Sequence, residues 1–323
     1  MNRILTLGNA LVDIMVSLTN DDLLTVLGLP RGSMQHTDGE TMERIVSLTQ
    51  GLERVVASGG SAANTANGLA NLGADVTYVG CVGADGLGNF FRDDMIANRI
   101  KPELFTAKAP TGIATVFVSP DGERTFAVNL GAALELKPDD LQPSLFRAYD
   151  FLHIEGYLVQ NHNLLQRALV LAKDHGLRVS LDLASYNVVE ANLDFLKRMV
   201  ENYVDIVFAN EDEAKAFTGL EPEGAVNGLA RLASIAVVKM GVEGSLIKGA
   251  AGTFRVGIVP ARAIDTTGAG DMYAAGFLYG LTRGLSLEAC GQLGALVSGR
   301  VVEVMGPKMV KRTWEEICMA VKC

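Results

Sequence analysis

Gly268-Ala269-Gly270-Asp271 is the stretch whose residue types point most directly to chemistry. It follows the turn-forming Ile264-Asp265-Thr266-Thr267 and precedes Met272-Tyr273-Ala274-Ala275-Gly276-Phe277, so it reads as a loop running into a buried helix that begins near Gly268. The first backbone N–H groups of a helix have no partner inside it, and glycines at 268 and 270 let an anion approach them closely. Gly268, Ala269 and Gly270 are therefore a candidate oxyanion or phosphate cradle. Asp271 stands where a group held in that cradle could share a proton with it. The same residues also suit a plain helix start, with Gly268 as N-cap and Asp271 complementing the positive end of the dipole.

Other polar residues interrupt stretches otherwise built for a core. The run from Ile4 to Ile14 is apolar on both faces and reads as one central strand of a covered sheet, with Asp13 as the anomaly. A carboxylate there is costly unless satisfied, so Asp13 either accepts from a ligand hydroxyl or accepts from amides of a nearby turn. Val55 to Gly73 reads as a strand, a Gly59-Gly60 turn and a helix of small residues. Its two glycines bring bare amides against a ligand, and Asn64 adds a donor and an acceptor, a combination suited to a polyhydroxylated molecule. A tight turn capped by Ser61 accounts for all of this except the polar Asn64 and Asn67. Asn210 and Glu213 have the spacing of a capping box, or serve as outer partners of a phosphate-bound Mg²⁺ reached through water. Lys239, with Gly241 and Gly244, ends another strand, where these residues either hold nucleotide phosphates or form a hairpin.

Strand ends must position these groups. From residue 151 the chain alternates strands at 151–155, 179–182, 206–209 and 235–240 with helices at 164–175, 193–202, 211–219 and 225–234. That alternation predicts parallel βαβ units with right-handed crossovers in one doubly wound α/β sheet, whose ligand site lies at the carboxyl ends of the strands. Two excursions, at about 15–37 and 114–128, contain short extended pieces, the second joined by the hairpin signal Ser119-Pro120-Asp121-Gly122. Helices are expected at 21–27 and 41–49. Neither excursion has the apolar alternation for a core of its own, and together they read as a small β-sheet lid. With no repeat and no linker, residues 1–323 read as a single domain.

Composition narrows the function further. With 323 residues, 49% hydrophobic and 20% charged, the chain can bury a large core, and its net charge of -9 argues against nucleic acid. Cysteines at 81, 290, 318 and 323 lack metal or disulfide spacing, which fits a reducing cytoplasm, with Cys81 and Cys290 expected in the core. No apolar run reaches the length of a membrane span, and no basic leader precedes the first strand. Walker-A and dinucleotide glycine signatures are missing, and the histidines at 36, 153, 162 and 175 have no zinc-ligand spacing. His153 is expected to be a satisfied core residue.

Taken in order, the Gly59-Gly60 helix, Asn210 with Glu213, Lys239 with Gly241 and Gly244, and Asp265-Thr266-Thr267-Gly268-Ala269-Gly270-Asp271 resemble the PfkB (ribokinase-like) family of sugar and nucleoside kinases. The resemblance covers nearly the whole chain. It implies a Rossmann-like sheet with a small β lid that transfers the γ-phosphate of ATP to a primary hydroxyl. By that likeness Asp271 is the base and Gly268 to Gly270 the anion hole, while Asn9, Asp13, Gly59, Gly60 and Asn64 contact the acceptor. Asn210, Lys239, Gly241 and Gly244 would then serve ATP, Glu213 would serve Mg²⁺ through water, and Asp265 and Thr267 would shape a monovalent-cation (K⁺) site. Phosphoryl transfer passes through a loose transition state, so a carboxylate of ordinary basicity suffices for Asp271. The segments Gly8 to Asp13, Pro110-Thr111-Gly112, Asn129 to Ala133 and Gly156-Tyr157 resemble adenosine kinase-like members, in which Tyr157 would stack on a purine. Thr267 is instead the ribokinase-like residue, which keeps a ribokinase- or fructokinase-type acceptor open. A binding protein that kept the fold without catalysis is a third reading, against which an intact Asp271 speaks. Lid strands pair between subunits in some members of the family, so a homodimer through the lid is one expectation.

Overall fold

The run from Ile4 to Ile14 does not form one strand. In the computed structural model, which describes residues 3–321, it breaks at Gly8-Asn9-Ala10 into β1 (Arg3–Leu7) and β2 (Leu11–Ser17), which belong to different sheets. The ladder ends where Gly8 N–H donates to Val79 O, and the next amide, Asn9 N–H, turns to the side chain of Glu155. Asp13 thus lies in the smaller sheet rather than in a central strand.

The remaining strands are β3 (Met34–His36), β4 (Arg54–Gly59), β5 (Asp75–Gly83), β6 (Lys101–Ala107), β7 (Gly112–Val118), β8 (Arg124–Asn129), β9 (Phe151–Glu155), β10 (Arg178–Asp182), β11 (Ile206–Asn210), β12 (Ile235–Lys239), β13 (Ser245–Gly249) and β14 (Gly252–Val256). The large sheet has nine strands in the order β14-β13-β12-β11-β10-β9-β1-β5-β6. Every pairing from β12 to β6 is parallel, and β13 and β14 add an antiparallel edge. Successive residues face opposite layers. Ile235 and Val237 pack with the layer of helices Ser61–Asn71, Ala269–Thr282 and Leu287–Val301, whereas Ala236 and Val238 pack with helices His162–Asp174, Leu193–Tyr203, Glu211–Thr218 and Pro222–Leu229. Burial on both sides explains why these strands read as continuous apolar runs.

The smaller sheet has the order β3-β8-β7-β2-β4. The two excursions supply β2, β3, β7 and β8, with the turn closed by Gly122 N–H donating to Ser119 O at 2.8 Å. Helices Asp22–Leu27 and Gly39–Thr49 flank it as expected. Strand β4, read from sequence only as the lead-in to Gly59-Gly60, pairs antiparallel with β2 and forms an edge. This joins Gly59 to the smaller sheet, whereas helices Ser61–Asn71 and Ala269–Thr282 pack on the large one.

Cys81 and Cys290 are buried, and burial pushes their thiols up to about 11 and about 12. Cys323 lies outside the described residues. His153 departs from the expected satisfied core residue: Nδ1 pairs with Ser180 Oγ at 2.9 Å, but Nε2 is buried with no hydrogen-bond partner among the described residues. Burial lowers its pKa to about 4, so the imidazole is neutral near pH 7. Among the described residues no helix is long and apolar enough to cross a membrane.

Candidate active site

Helix Ala269–Thr282 begins at Gly268, whose φ of 74° is left-handed backbone, and a Cβ there would lie 2.6 Å from Pro307 Cβ. Glycine is required on both counts. Ala269 N–H donates to Thr266 O at 3.2 Å and Met272 N–H to Gly268 O, whereas the amides of Gly268, Gly270 and Asp271 take no acceptor among the described residues. The cradle therefore has three open donors, and Ala269 serves it by closing the turn rather than by offering its amide.

Asp271 lies in the first turn of this helix, against the start of helix Ser61–Asn71. Its Oδ1 accepts from Ser61 Oγ at 2.6 Å, its Oδ2 from Asn64 Nδ2 at 2.9 Å, and its backbone carbonyl from Thr65 Oγ1 at 3.2 Å. Burial raises its pKa to about 6 against those two side-chain hydrogen bonds, with Asp182 adding to the rise and Lys239 opposing it. Asp271 is thus more basic than an ordinary carboxylate, which sequence reasoning did not require. Ser61 is not the cap. Gly60, at φ 95°, holds the N-cap position, and any Cβ on it would strike Asn9 O at 2.2 Å.

Asp13 reaches this point from β2. It is 8% exposed, it accepts no hydrogen bond from the described residues, and a Cβ on Gly59 would fall 2.1 Å from its Cγ. Gly59 therefore makes room for Asp13 and does not itself line the cavity. Burial pushes Asp13 up to about 7, with Lys308 opposing and Asp271 adding to the rise. Asn64 Oδ1 is likewise buried without a partner. Asp13 and Asn64, which line the same cavity, thus each hold an acceptor with no donor among the described residues.

Glu155, at the end of β9, has no counterpart in the sequence reading. It is 1% exposed and accepts from Asn9 N and Asn9 Nδ2 on one oxygen and from Ala62 N on the other. Burial dominates these bonds and raises its pKa to about 7. The N–H donors of Asn9 are thus held by Glu155, which fixes the crossing from β1 to β2 and the start of helix Ser61–Asn71 together, while Asn9 still lines the cavity.

Strand ends β10, β11 and β12 supply the rest. Lys239 Nζ donates to Asp182 Oδ2 at 2.8 Å and lies 3.0 Å from where a Cβ on Gly270 would stand, so its ammonium forms the floor of the cradle. Burial opposes that charge, but Asp182 and Glu213 outweigh it and raise the Lys239 pKa. Asn210 and Glu213 form a complete capping box: Glu213 N–H donates to Asn210 Oδ1, and Asn210 N and Nδ2 donate to the two Glu213 oxygens, all at 2.8 Å. Burial and nearby Asp182 raise the Glu213 pKa. Each of its oxygens, bound once, keeps a lone pair for a water of a hydrated ion, which fits an Mg²⁺ that keeps most of its shell. Among the described residues no three His, Cys, Asp or Glu side chains gather as a metal cage. Gly241 and Gly244 make the turn of the β12–β13 hairpin. Tyr157 O–H donates to Ala184 O at 3.4 Å, and Ala184 is held at φ 72°, a conformation that non-glycine residues rarely adopt.

All of this opens on one cavity of about 740 Å³, lined by Asn9, Asp13, Gly60, Asn64, Glu155 and Tyr157 at one end and by Asn210, Gly241, Val242, Gly244 and Ile258 at the other. Lys239, Glu213, Thr267 and Gly268 to Asp271 also line it. Leu11, Met34, Ala114, Phe126, Val128 and Leu130 of the smaller sheet and its borders form an apolar wall over the acceptor end. Asp265 lies behind it, 1% exposed, accepting from Thr267 N at 2.6 Å and Gly306 N at 2.8 Å and paired with Arg124.

Known proteins share this architecture along the whole chain. A family model described as pfkB family carbohydrate kinase matches residues 38–313. The adenosine kinase of Saccharomyces cerevisiae is 26% identical, over 94% of this chain and 96% of that protein. The solved structure of a probable sugar kinase from Rhizobium etli CFN 42 superposes with a TM-score of 0.90 at 35% identity, covering 99% of this chain and 98% of that one. The adenosine kinase of Sinorhizobium meliloti superposes with a TM-score of 0.89, also at 35% identity, covering 99% of each chain. The chain belongs to the pfkB family of carbohydrate kinases and is, like its relatives, a phosphotransferase.

Proposed function

We propose that this kinase transfers the γ-phosphate of ATP to the primary hydroxyl of a nucleoside, adenosine or a close analogue. The observation that carries the reading is the pair of buried, donorless acceptors, Asp13 and Asn64 Oδ1, beside Asp271 and beneath an apolar wall. A ribose diol supplies the missing donors, and a base, unlike more hydroxyls, gains from Leu11, Phe126, Leu130 and the Tyr157 ring. The strong likeness to the Sinorhizobium meliloti adenosine kinase supports the same acceptor.

Asp271 takes the proton of the attacking hydroxyl as the new oxygen–phosphorus bond forms and the bond to the bridging oxygen breaks, leaving ADP. The open amides of Gly268, Gly270 and Asp271, with the Lys239 ammonium beneath them, meet the charge on the transferring group. One oxyanion donor of this kind contributes about 3 kcal/mol. Mg²⁺ carried on the phosphates, held through water by Glu213, supplies further charge neutralisation when bound. The smaller sheet closes as a lid over the acceptor and keeps water from the phosphoryl group.

An ATP-consumption screen over nucleosides and free sugars tests this reading. Adenosine should give the highest kcat/KM. A free pentose or hexose in first place would favour the second reading, a sugar kinase, which the equal identity to the Rhizobium etli probable sugar kinase supports. No consumption with any of them would remove the proposal.

A further inference from the structure

The loop that carries the anion hole is held from the smaller sheet. Arg124, the first residue of β8, donates from Nη1 to Thr266 Oγ1 at 3.2 Å and from Nη2 to Ile264 O at 3.5 Å, and its Nη2 stands 3.0 Å from Asp265 Oδ1. Thr267 N shares Oδ1 with the guanidinium, and Gly306 N takes Oδ2. Both partners of the ion pair are largely or fully buried, at 17% and 1% side-chain exposure. A monovalent ion seated on Asp265 would meet a carboxylate already neutralised and a loop carbonyl already shared with a guanidinium. Thr267 Oγ1 is buried with no hydrogen-bond partner among the described residues, but one hydroxyl is not a coordination shell.

We propose that the Arg124 guanidinium is the cation that orders residues 264–268 in this protein, in place of a monovalent metal ion, so that the anion hole takes its shape when the smaller sheet is seated. The inference rests on the kinase reading. Arg124 is a positioning residue here: its planar fork bridges a carbonyl, a hydroxyl and a carboxylate on three successive residues, a geometry that an ammonium cannot reproduce. Because the loop then leads straight into Gly268, displacement of Arg124 should loosen the open amides without touching the acceptor subsite at Asp13 and Asn64.

The test compares turnover in potassium chloride and in tetramethylammonium chloride of equal ionic strength. The wild-type protein should turn over equally in both, and Arg124→Ala should lower kcat by about tenfold to a hundredfold with acceptor KM little changed. Guanidinium or K⁺ should restore part of the activity of Arg124→Ala, whereas tetramethylammonium should not, and Arg124→Lys should stay well below wild type. Amide hydrogen exchange over residues 264–271 of the ligand-free protein gives a readout independent of catalysis: faster in Arg124→Ala, and unaltered by K⁺ in the wild type. A wild-type protein that stalls without K⁺, an Arg124→Ala variant with normal kcat, or unchanged exchange in that variant would each overturn the inference. Phosphorylation of the acceptor by the wild-type protein in potassium buffer remains a separate result, so loss of this inference is distinguishable from loss of the kinase reading.

Discussion

Asp271 is placed under opposing demands, because burial favours its neutral form while Ser61 and Asn64 hold both oxygens for the charged one. The balance leaves it at about 6, so the proton acceptor is available above that pH and disappears below it. With Asp271 as the proposed base, the kcat/KM of the wild-type protein should rise with pH through an acid limb near 6, as a pH–rate profile at limiting acceptor would report, since that ratio follows groups of the free enzyme. Asp271→Asn preserves the two hydrogen-bonded contacts in shape while removing the base. It should cost several decades of kcat with acceptor KM within a few-fold, and near-normal turnover would take Asp271 out of the mechanism. Lys239 poses a different question because its charge neutralises two buried carboxylates as well as facing Gly270. Lys239→Met strands Asp182 beside Glu213, which should destabilise the fold by on the order of 3–5 kcal/mol in urea unfolding. A stable Lys239→Met variant would mean that the two acids share a proton instead.

Helix Ala269–Thr282 was legible because its start is written in adjacent residues. Gly268, Gly270 and Asp271 need only the local rule that a helix begins with open amides, and the structure puts the N-cap at Gly268. Substituting that residue tests the arrangement. Gly268→Ala must hold a left-handed φ and displace Pro307, so stability should fall by about 1–3 kcal/mol and kcat should fall with it. A variant with wild-type thermal unfolding and turnover would show that the cradle does not depend on this backbone. Contacts that span the chain were not legible. Glu155 ends a strand whose apolar pattern hides it, and its partners Asn9 and Ala62 lie 146 and 93 residues away. The break between β1 and β2 is hidden for the same reason, since the partners that hold Gly8-Asn9-Ala10, Glu155 for Asn9 and the Tyr78 hydroxyl and Val79 carbonyl for Gly8, are all distant in sequence. Strand β5 carries an interior glycine at 80 and ends on another at 83, and β6 carries a proline at 102, all of which weaken a strand pattern until neighbouring strands are in place.

Across the whole molecule, the site collects acids that the fold would rather keep protonated. Asp13 and Glu155 stand at about 7 and Asp271 at about 6, all above their ordinary values, and in each case burial is the largest cause. A carboxyl group whose pKa is raised by folding contributes stability that is complete below its ordinary pKa and is lost as pH rises through the folded value. Asp85 and Asp94 work in the other direction: burial opposes their charge, but Thr111 and Gly88 donors to Asp85 and the Lys308 ammonium beside Asp94 hold them below the ordinary range. Their contribution is present near neutrality and is lost as pH falls through those depressed values. These raised groups should accordingly make the ligand-free protein weaken as pH rises from about 4 to about 7, with little further change above that. Each pKa unit corresponds to about 1.4 kcal/mol, so relieving one such group should recover on the order of 2–4 kcal/mol at pH 8. Asp13→Asn is the test, since Asp13 accepts nothing from the protein and its amide replacement breaks no bond the ligand-free fold makes. Urea unfolding at pH 5 and pH 8 should show the variant more stable than wild type at both, by a clearly larger margin at pH 8, with a raised KM for the acceptor at both. A difference between variant and wild type that does not change with pH would mean that Asp13 is solvated in the free enzyme, and an unchanged KM would move the acceptor's hydroxyls away from it.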